Sequence, residues 1–198
     1  MAKIKLTKNE LKLQKDRLSR FQRYLPTLQL KKQQLQMVLR KVEREEREKE
    51  RVRRESYETM QSWIAVFGEP VDLEELVKIR ELVTSGGNIA GIDIPVFESI
   101  AFEETTWDLY LTPLWIDGGI AKMKEIISLD AEIRVLREQH ERIAEELRIT
   151  SQRVNLFEKV MIPETQENIR RIQIYLGDQQ TAQVVRGKFA KRKVERRA

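Results

Sequence analysis

Residues 11–42 read LKLQKDRLSRFQRYLPTLQLKKQQLQMVLRKV, and the spacing of the apolar residues in this stretch decides the fold. Apolar side chains recur there every seven residues in two rows, one Leu11, Leu18, Leu25, Lys32 and Leu39, the other Phe21, Leu28, Leu35 and Val42. A sustained seven-residue repeat keeps one apolar stripe of a helix against a partner helix. The stretch therefore predicts one half of a coiled coil.

A second stretch with the same period lies beyond residue 117. Its rows are Ile126, Ile133, His140, Leu147, Val154 and Met161, together with Leu129, Leu136, Ile143 and Phe157. Two such helices joined by a folded tip form an antiparallel hairpin with little interior for a pocket. We therefore predict a mainly α protein, a long antiparallel two-helix coiled-coil hairpin whose small tip contains a short helix and a β-hairpin.

Capping and breaking residues bound the first helix. Thr7, followed by Glu10, predicts its start through a capping box, and Gly68 and Pro70 predict its end near residue 67. Within it, residues 43–56 are nearly all charged, and we expect a solvated helix held by pairs four positions apart.

The tip is predicted from turn and β-branched residues. DLEELVKIRELV, residues 72–83, predicts a short helix that SerGlyGlyAsn at 85–88 ends. NIAGIDIPVFESIAF, residues 88–102, predicts a β-hairpin, which we expect Trp107, Tyr110 and Trp115 to support.

The second helix is expected to start at Asp117 and to run to about residue 190, with an interruption at Pro163. We divide the chain into an N-terminal helix, 1–67, a tip, 68–117, and a C-terminal helix, 118–198, within a single elongated domain. The C-terminal helix is the longer one, and its end is expected to project past the first helix.

Composition narrows the classes of protein that fit. Charged residues make up 35% of the 198 residues, as in coiled coils, and the absence of cysteine excludes disulfides and thiolate metal sites. No stretch is apolar over the roughly 20 residues that a bilayer-spanning helix needs. The N-terminus MAKIKLTKNE lacks the apolar core of a signal peptide. We therefore expect a cytoplasmic protein that does not insert into a membrane.

Charge is distributed unevenly along the chain. Residues 1–32 carry ten basic side chains and residues 186–198 carry seven, whereas residues 68–117 carry eleven acidic ones. In an antiparallel hairpin both termini lie at one end, so the protein is expected to have a basic end and an acidic end that bind different partners.

No set of residues with a catalytic or metal-binding spacing is visible, so we expect no catalytic residue, cofactor or metal. The one histidine, His140, falls on the heptad seam, where a polar residue usually fixes register. The heptads predict that facing residue numbers sum to roughly 186, which places His140 near Glu46 and Lys49.

The stretch RVNLFEKVMIPETQENIRRI, residues 153–172, resembles the signature of the D subunit of V-type and archaeal-type rotary ATPases. The matching positions are Arg153, Val154, Asn155, Glu158, Ile162, Pro163, Ile169, Arg170 and Ile172. LTPLWID (111–117), AGIDIPVFE (90–98) and LQLKKQQL (28–35) also resemble stretches of that family, in the same order. One departure is ArgTyrLeuPro at 23–26, where many members have Arg-Gly-His.

The resemblance implies a non-catalytic central-stalk rotor subunit that transmits torque. Its termini would insert into a hexamer of catalytic A and nucleotide-binding B subunits, through Lys5, Lys8, Lys12, Lys15, Arg186, Lys188, Lys191, Arg192 and Lys193. Its tip would meet the linker subunit on the proteolipid ring, and the small F subunit would bind its side. The tip contacts Ile92, Ile94, Pro95 and Phe97 would serve the linker subunit or the F subunit. The chain itself would bind no nucleotide.

Two other classes of function share some of these features. A coiled-coil scaffold or adaptor would have the heptads without the run at 153–172. A nucleic-acid-binding helical hairpin would have basic ends, but RGKFAKRKVERRA at 186–198 contains a single aromatic residue and matches no base-reading fold. We therefore expect no nucleic-acid partner.

Overall fold

The structure is a computed structural model that describes residues 4–61, 76–106, 113 and 115–196. The chain divides into two compact units, one made of residues 1–32 and 149–198 and the other of residues 33–148. Across the described ranges, no helix combines the length and the apolar character that crossing a membrane requires.

Helix α1 spans Lys8–Gln61. The hydroxyl of Thr7 accepts a hydrogen bond from the backbone N–H of Glu10 at 3.3 Å, which confirms the predicted cap. Pro26 lies inside the helix without ending it. The predicted end near residue 67 lies outside the described residues.

The second half of the chain contains two helices joined by a wide turn. Helix α2 spans Ile116–Leu156, a five-residue π turn spans Phe157–Met161, and helix α3 spans Ile162–Glu195. The backbone N–H of Ile162 donates to the carbonyl of Phe157, five residues earlier. Pro163 has no N–H to continue a regular ladder, and the wide turn accommodates it without ending the helix. The interruption at Pro163 is thus confirmed, while the helix begins one residue before Asp117 and extends beyond residue 190.

Strands β1, Ile79–Ile89, and β2, Ile92–Phe102, form an antiparallel hairpin. Its turn is Ala90–Gly91, where φ is +54° and +81°. Two successive positive φ angles define the type I′ turn, whose twist matches that of the flanking strands. The presence of a β-hairpin is therefore confirmed, but it begins at Ile79 and not at residue 88 as predicted.

The short helix predicted over residues 72–83 is helical at Leu76, its first described residue, and is wrong from residue 77 onward. Residues 79–83 belong to β1, and SerGlyGlyAsn at 85–88 continues this strand instead of ending a helix. Glu and Leu favour helix locally, but pairing with β2 overrides this weak preference. The predicted cap at Asp72 lies outside the described residues.

Within the unit of residues 33–148, α1, α2 and the β-hairpin share one core. It consists of Leu35, Val42, Ile94, Leu136 and Ile143. The bonded partners on α2 move toward its start as the chain advances along α1, from Glu43–His140 to Ser56–Glu125, so the two helices are antiparallel, as predicted. The β-hairpin packs against these helices, as expected for a two-stranded hairpin, which is only marginally stable alone.

The unit that contains both termini has its own packing. The rings of Phe21 and Phe157 meet edge to face with centroids 5.2 Å apart. Val154 and Ile172 are buried, and so are four polar residues, Gln14, Thr150, Thr165 and Asn168. Thr165 donates to the carbonyl of Met161 at 2.6 Å, which satisfies its hydroxyl within the helix.

Candidate partner-binding surfaces

The charged stretch of α1 faces α2. The two heptad rows of α1 continue past Val42 through the positions that we call the polar seam, namely Glu46, Lys49, Arg53 and Ser56. Each of the four is bonded to a residue of α2. The prediction of a solvated stretch is therefore wrong for these positions, because they are seam residues whose partners are polar.

The bonds of the polar seam are short. The guanidinium of Arg137 donates through Nε to Glu46 at 2.9 Å and through Nη2 to Glu50 at 2.6 Å. Lys49 Nζ lies 2.8 Å from the carboxylate of Glu132. Arg53 Nη1 lies 2.7 Å from Asp130, and the buried hydroxyl of Ser56 donates to Glu125 at 2.8 Å.

These bonds change the proton affinity of two of the groups. The hydrogen bond to Glu46, followed by that to Glu50, raises the pKa of Arg137 above its ordinary value. The hydrogen bond from Lys122, followed by that from Ser56, lowers the pKa of the Glu125 carboxyl. Both shifts favour the charged forms in which the groups pair.

The predicted register is shifted by three residues at His140. Its Nε2 lies 3.4 Å from the carboxylate of Glu43, whereas the heptads predicted Glu46 and Lys49. The side chain is 35% exposed, so it lies at the border of the seam. Two pairs with the predicted spacing of four residues, Glu43–Arg47 and Glu50–Arg54, are replaced by bonds from these glutamates to α2.

The β-hairpin is fastened to α2 by two side chains. Gln139, which is 7% exposed, donates to the carbonyl of Pro95 at 2.6 Å. Arg142 donates to the carbonyl of Asp93 at 3.0 Å. Of the residues predicted to contact a partner, Ile94 is only 3% exposed and is part of the core, while Ile92, Pro95 and Phe97 are half-buried.

A shallow apolar groove lies between the β-hairpin and α2. Its volume is about 390 Å³, and its lining includes Ile79, Leu82, Ile100 and Ile127. Asp130 and Arg134 border it. Among the described residues, no group of histidine and carboxylate side chains could hold a metal ion.

The last part of α3 has almost no packing within the chain. From Gly177 to Arg196 every residue is exposed except Ala182, which is half-buried. The exposed apolar side chains there include Val184 at 59% and Phe189 at 66%. The predicted hexamer contacts in this segment are all exposed, namely Arg186, Lys188, Lys191, Arg192 and Lys193.

The remaining predicted residues divide by face. Lys5, Lys8, Lys12 and Lys15 are exposed near the start of the chain. In the run at 153–172, Val154 and Ile172 are buried, and Ile162 and Ile169 are half-buried. Its polar members Arg153, Asn155, Glu158 and Arg170 are exposed, as is Pro163. At the matching positions the valine and isoleucines are therefore buried or half-buried, and the charged and amide side chains are available to a partner.

Similarity to known proteins extends over nearly the whole chain. A family model that describes the D subunit of ATP synthase matches residues 10–192. The chain belongs to this family. The D subunit of the V-type ATP synthase of Borreliella burgdorferi is 51% identical over 191 residues, which are 96% of this chain and 95% of that protein. The corresponding D subunit of Chlamydia felis is 36% identical over 199 residues, or 99% and 96% of the two chains. That of Chlamydia pneumoniae is 34% identical over 197 residues, or 98% and 94%. The family match includes the run at 153–172 and the exposed end of α3 up to Arg192.

Proposed function

We propose that this chain is the central-stalk rotor subunit of a V-type or archaeal-type rotary ATPase. It transmits torque between the hexamer of catalytic A and B subunits and the ion-translocating ring in the membrane. The chain itself catalyses nothing, binds no nucleotide and does not enter the membrane. Membership of the ATP synthase D-subunit family over residues 10–192 supports this proposal.

The observation that carries the proposal is the unpacked end of α3. A helix of about this length is marginal in water when nothing packs on it. Here the stretch from Gly177 to Arg196 carries exposed apolar side chains such as Phe189 and Val194, the latter 69% exposed, beside a cluster of basic ones. Exposed apolar surface with a basic rim indicates a surface that a partner covers. We infer that the A and B subunits enclose this segment.

The other partners follow from the same role. The linker subunit on the proteolipid ring and the F subunit are expected to bind away from the termini, the former near the tip and the latter on the side of the coiled coil. In this arrangement the direction of the reaction and the transported ion are determined by other subunits. The chain acts by biasing which catalytic site is open, so its effect on the chemistry is conformational.

Co-purification tests the proposal. A tagged copy expressed at its natural level should recover two large nucleotide-binding subunits in equal amounts, together with the F subunit and the linker subunit. A variant in which Val184, Phe189 and Val194 are replaced by serine should lose the two large subunits. Replacement of the exposed Leu30 and Met37 of α1 by serine is the matched control and should keep them. Recovery of nucleic acid or of an unrelated scaffold, without the large subunits, would contradict the proposal.

A further inference from the structure

The seam of α1 changes from apolar to polar after Val42 and becomes apolar again at Met60. In between, every seam position is bonded to a specific residue of α2. Apolar seam residues pack about equally well after a slip of one heptad, since the slip places one apolar side chain where another was. A charged seam residue is not accommodated equally well after such a slip, because it needs an opposite charge at one particular place.

We propose that the polar seam is a register lock, which holds α1 and α2 at a single axial position by pairing charges that would repel each other in the neighbouring registers. The register lock extends beyond the function proposed above, because it is a property of the isolated chain. It therefore stands or fails independently of any rotary role.

The order of the charges distinguishes the registers. In the structure Arg53 faces Asp130, and Glu46 faces Arg137, which lies seven positions further along α2. A slip of one heptad in one direction brings Arg53 opposite Arg137. A slip in the other direction brings Glu46 opposite Asp130. Both neighbouring registers thus place like charges together at the seam.

The connection between the helices does not fix the register in the way that a short turn would. The chain between Gln61, the last described residue of α1, and Ile116 at the start of α2 contains the whole β-hairpin. The pairs of the polar seam are partly exposed, with Arg53 at 33% and Lys49 at 38%, and such pairs discriminate between arrangements more than they stabilise one.

Distance measurement between two spin labels tests the lock. The chain has no cysteine, so labels can be placed at Arg54→Cys and Glu141→Cys, both of which are exposed positions outside the lock. A slip of one heptad moves the helices by about 10 Å along their axes, which double electron–electron resonance resolves. The labelled chain is expected to give one narrow distance distribution.

Charge reversal should move this distance. Lys49→Glu with Arg53→Glu creates repulsion against Glu132 and Asp130 and makes position 53 complementary to Arg137 in the slipped register. The distance should shift by the heptad step, and adding Glu132→Lys with Asp130→Arg should restore it. Arg44→Glu with Arg47→Glu, the same change at exposed positions of α1, is the matched control and should leave it unchanged. An unchanged distance in the reversed variant, or a failure of the swapped variant to restore it, would overturn the proposal.

An all-leucine seam provides a variant that folds without the charges. Glu46→Leu, Lys49→Leu, Arg53→Leu and Ser56→Leu should raise the melting temperature, because the seam becomes continuous and apolar. The distance distribution should become broad or split into two, since the charges of the seam no longer distinguish neighbouring registers. A single narrow peak at the original distance would show that the apolar core alone sets the register, and it would overturn the lock.

Discussion

Ala90 adopts a backbone conformation that favours glycine. Its φ of +54° lies in the left-handed region, which costs a residue with a β-carbon about 1–2 kcal/mol. Asn88 supports the turn by accepting from the backbone N–H of Gly91 at 3.1 Å and by donating to Asp93 at 2.7 Å. The turn is therefore held by its neighbours against the preference of its own first residue.

Replacing Ala90 by glycine should stabilise the chain. The substitution relieves the backbone strain, but the greater freedom of glycine in the unfolded chain offsets part of the gain. We therefore expect the free energy of unfolding, measured in urea, to rise by about 0.5 kcal/mol. Ala101→Gly in β2, where φ is ordinary, is the control and should destabilise by about 0.5–1 kcal/mol. Equal destabilisation by both changes would mean that Ala90 carries no strain.

Glu125 should contribute to stability only when it is ionised. Its folded-state pKa is lowered by Lys122 and Ser56, so the contribution is present above the unfolded-state pKa of about 4.3 and is lost as the pH falls through the folded value. At pH 7 the free energy of unfolding of the wild type should exceed that of Glu125→Gln. The difference should be only a few tenths of a kcal/mol, because the bonded groups are partly exposed. The two should converge once the pH lies well below the folded-state pKa, where the carboxyl is protonated in both states. Glu141→Gln, at an exposed position of the same helix, is the control and should leave the stability at pH 7 unchanged. A difference for Glu125→Gln that is as large in acid as at pH 7 would contradict the assignment.

At the scale of the elements, the helices can be predicted from the sequence more accurately than the β-hairpin that packs beside them. The heptad rows and the cap at Thr7 predict α1 and α2 because burial of one stripe dominates a coiled coil. Strand β1 was missed because its helical propensity is overridden by pairing with β2, which is a non-local effect. The π turn replaced a simple interruption at Pro163, because the helix could absorb the missing N–H by widening.

The polar seam shows that residue type alone does not reveal which charged residues lie between the helices. The charged residues at 43–56 looked solvated, since charges usually are. Their heptad positions already placed Glu46, Lys49, Arg53 and Ser56 on the seam, and that spacing was the signal that could have identified them. The partners on α2 could not be assigned from the sequence, because the register differed by three residues from the prediction at His140.

The β-hairpin is expected to depend on Gln139. Gln139→Ala leaves the carbonyl of Pro95 without its donor and should cost about 1–3 kcal/mol of local stability. Hydrogen exchange should then become faster across 79–102 and stay unchanged in the part of α1 away from the β-hairpin. Gln152→Ala, an exposed position of the same helix, is the control. Unchanged protection of the β-hairpin in Gln139→Ala would show that the apolar contacts of Ile94 suffice.

At the scale of the whole molecule, the end of α3 is expected to contribute to assembly with partners but not to the stability of the free chain. Removal of residues 186–198 should leave the melting temperature of the free chain nearly unchanged, because every described residue there is exposed. Assembly with the A and B subunits should weaken at least tenfold, because the apolar and basic side chains that they enclose are lost. Arg44→Gln with Arg47→Gln removes two exposed charges of α1 and should have no such effect. A truncated chain that assembled with unchanged affinity would contradict the proposed insertion.

The most direct test of the rotor role is observation of rotation. The chain has no cysteine, so Glu98→Cys on an exposed position of β2 gives one attachment site for a bead. With the A and B subunits fixed to a surface, ATP should drive continuous rotation of the bead in one direction, at a rate that follows ATP hydrolysis. A bead that remains stationary while the same immobilised complexes hydrolyse ATP would contradict the proposal that this chain is the rotor.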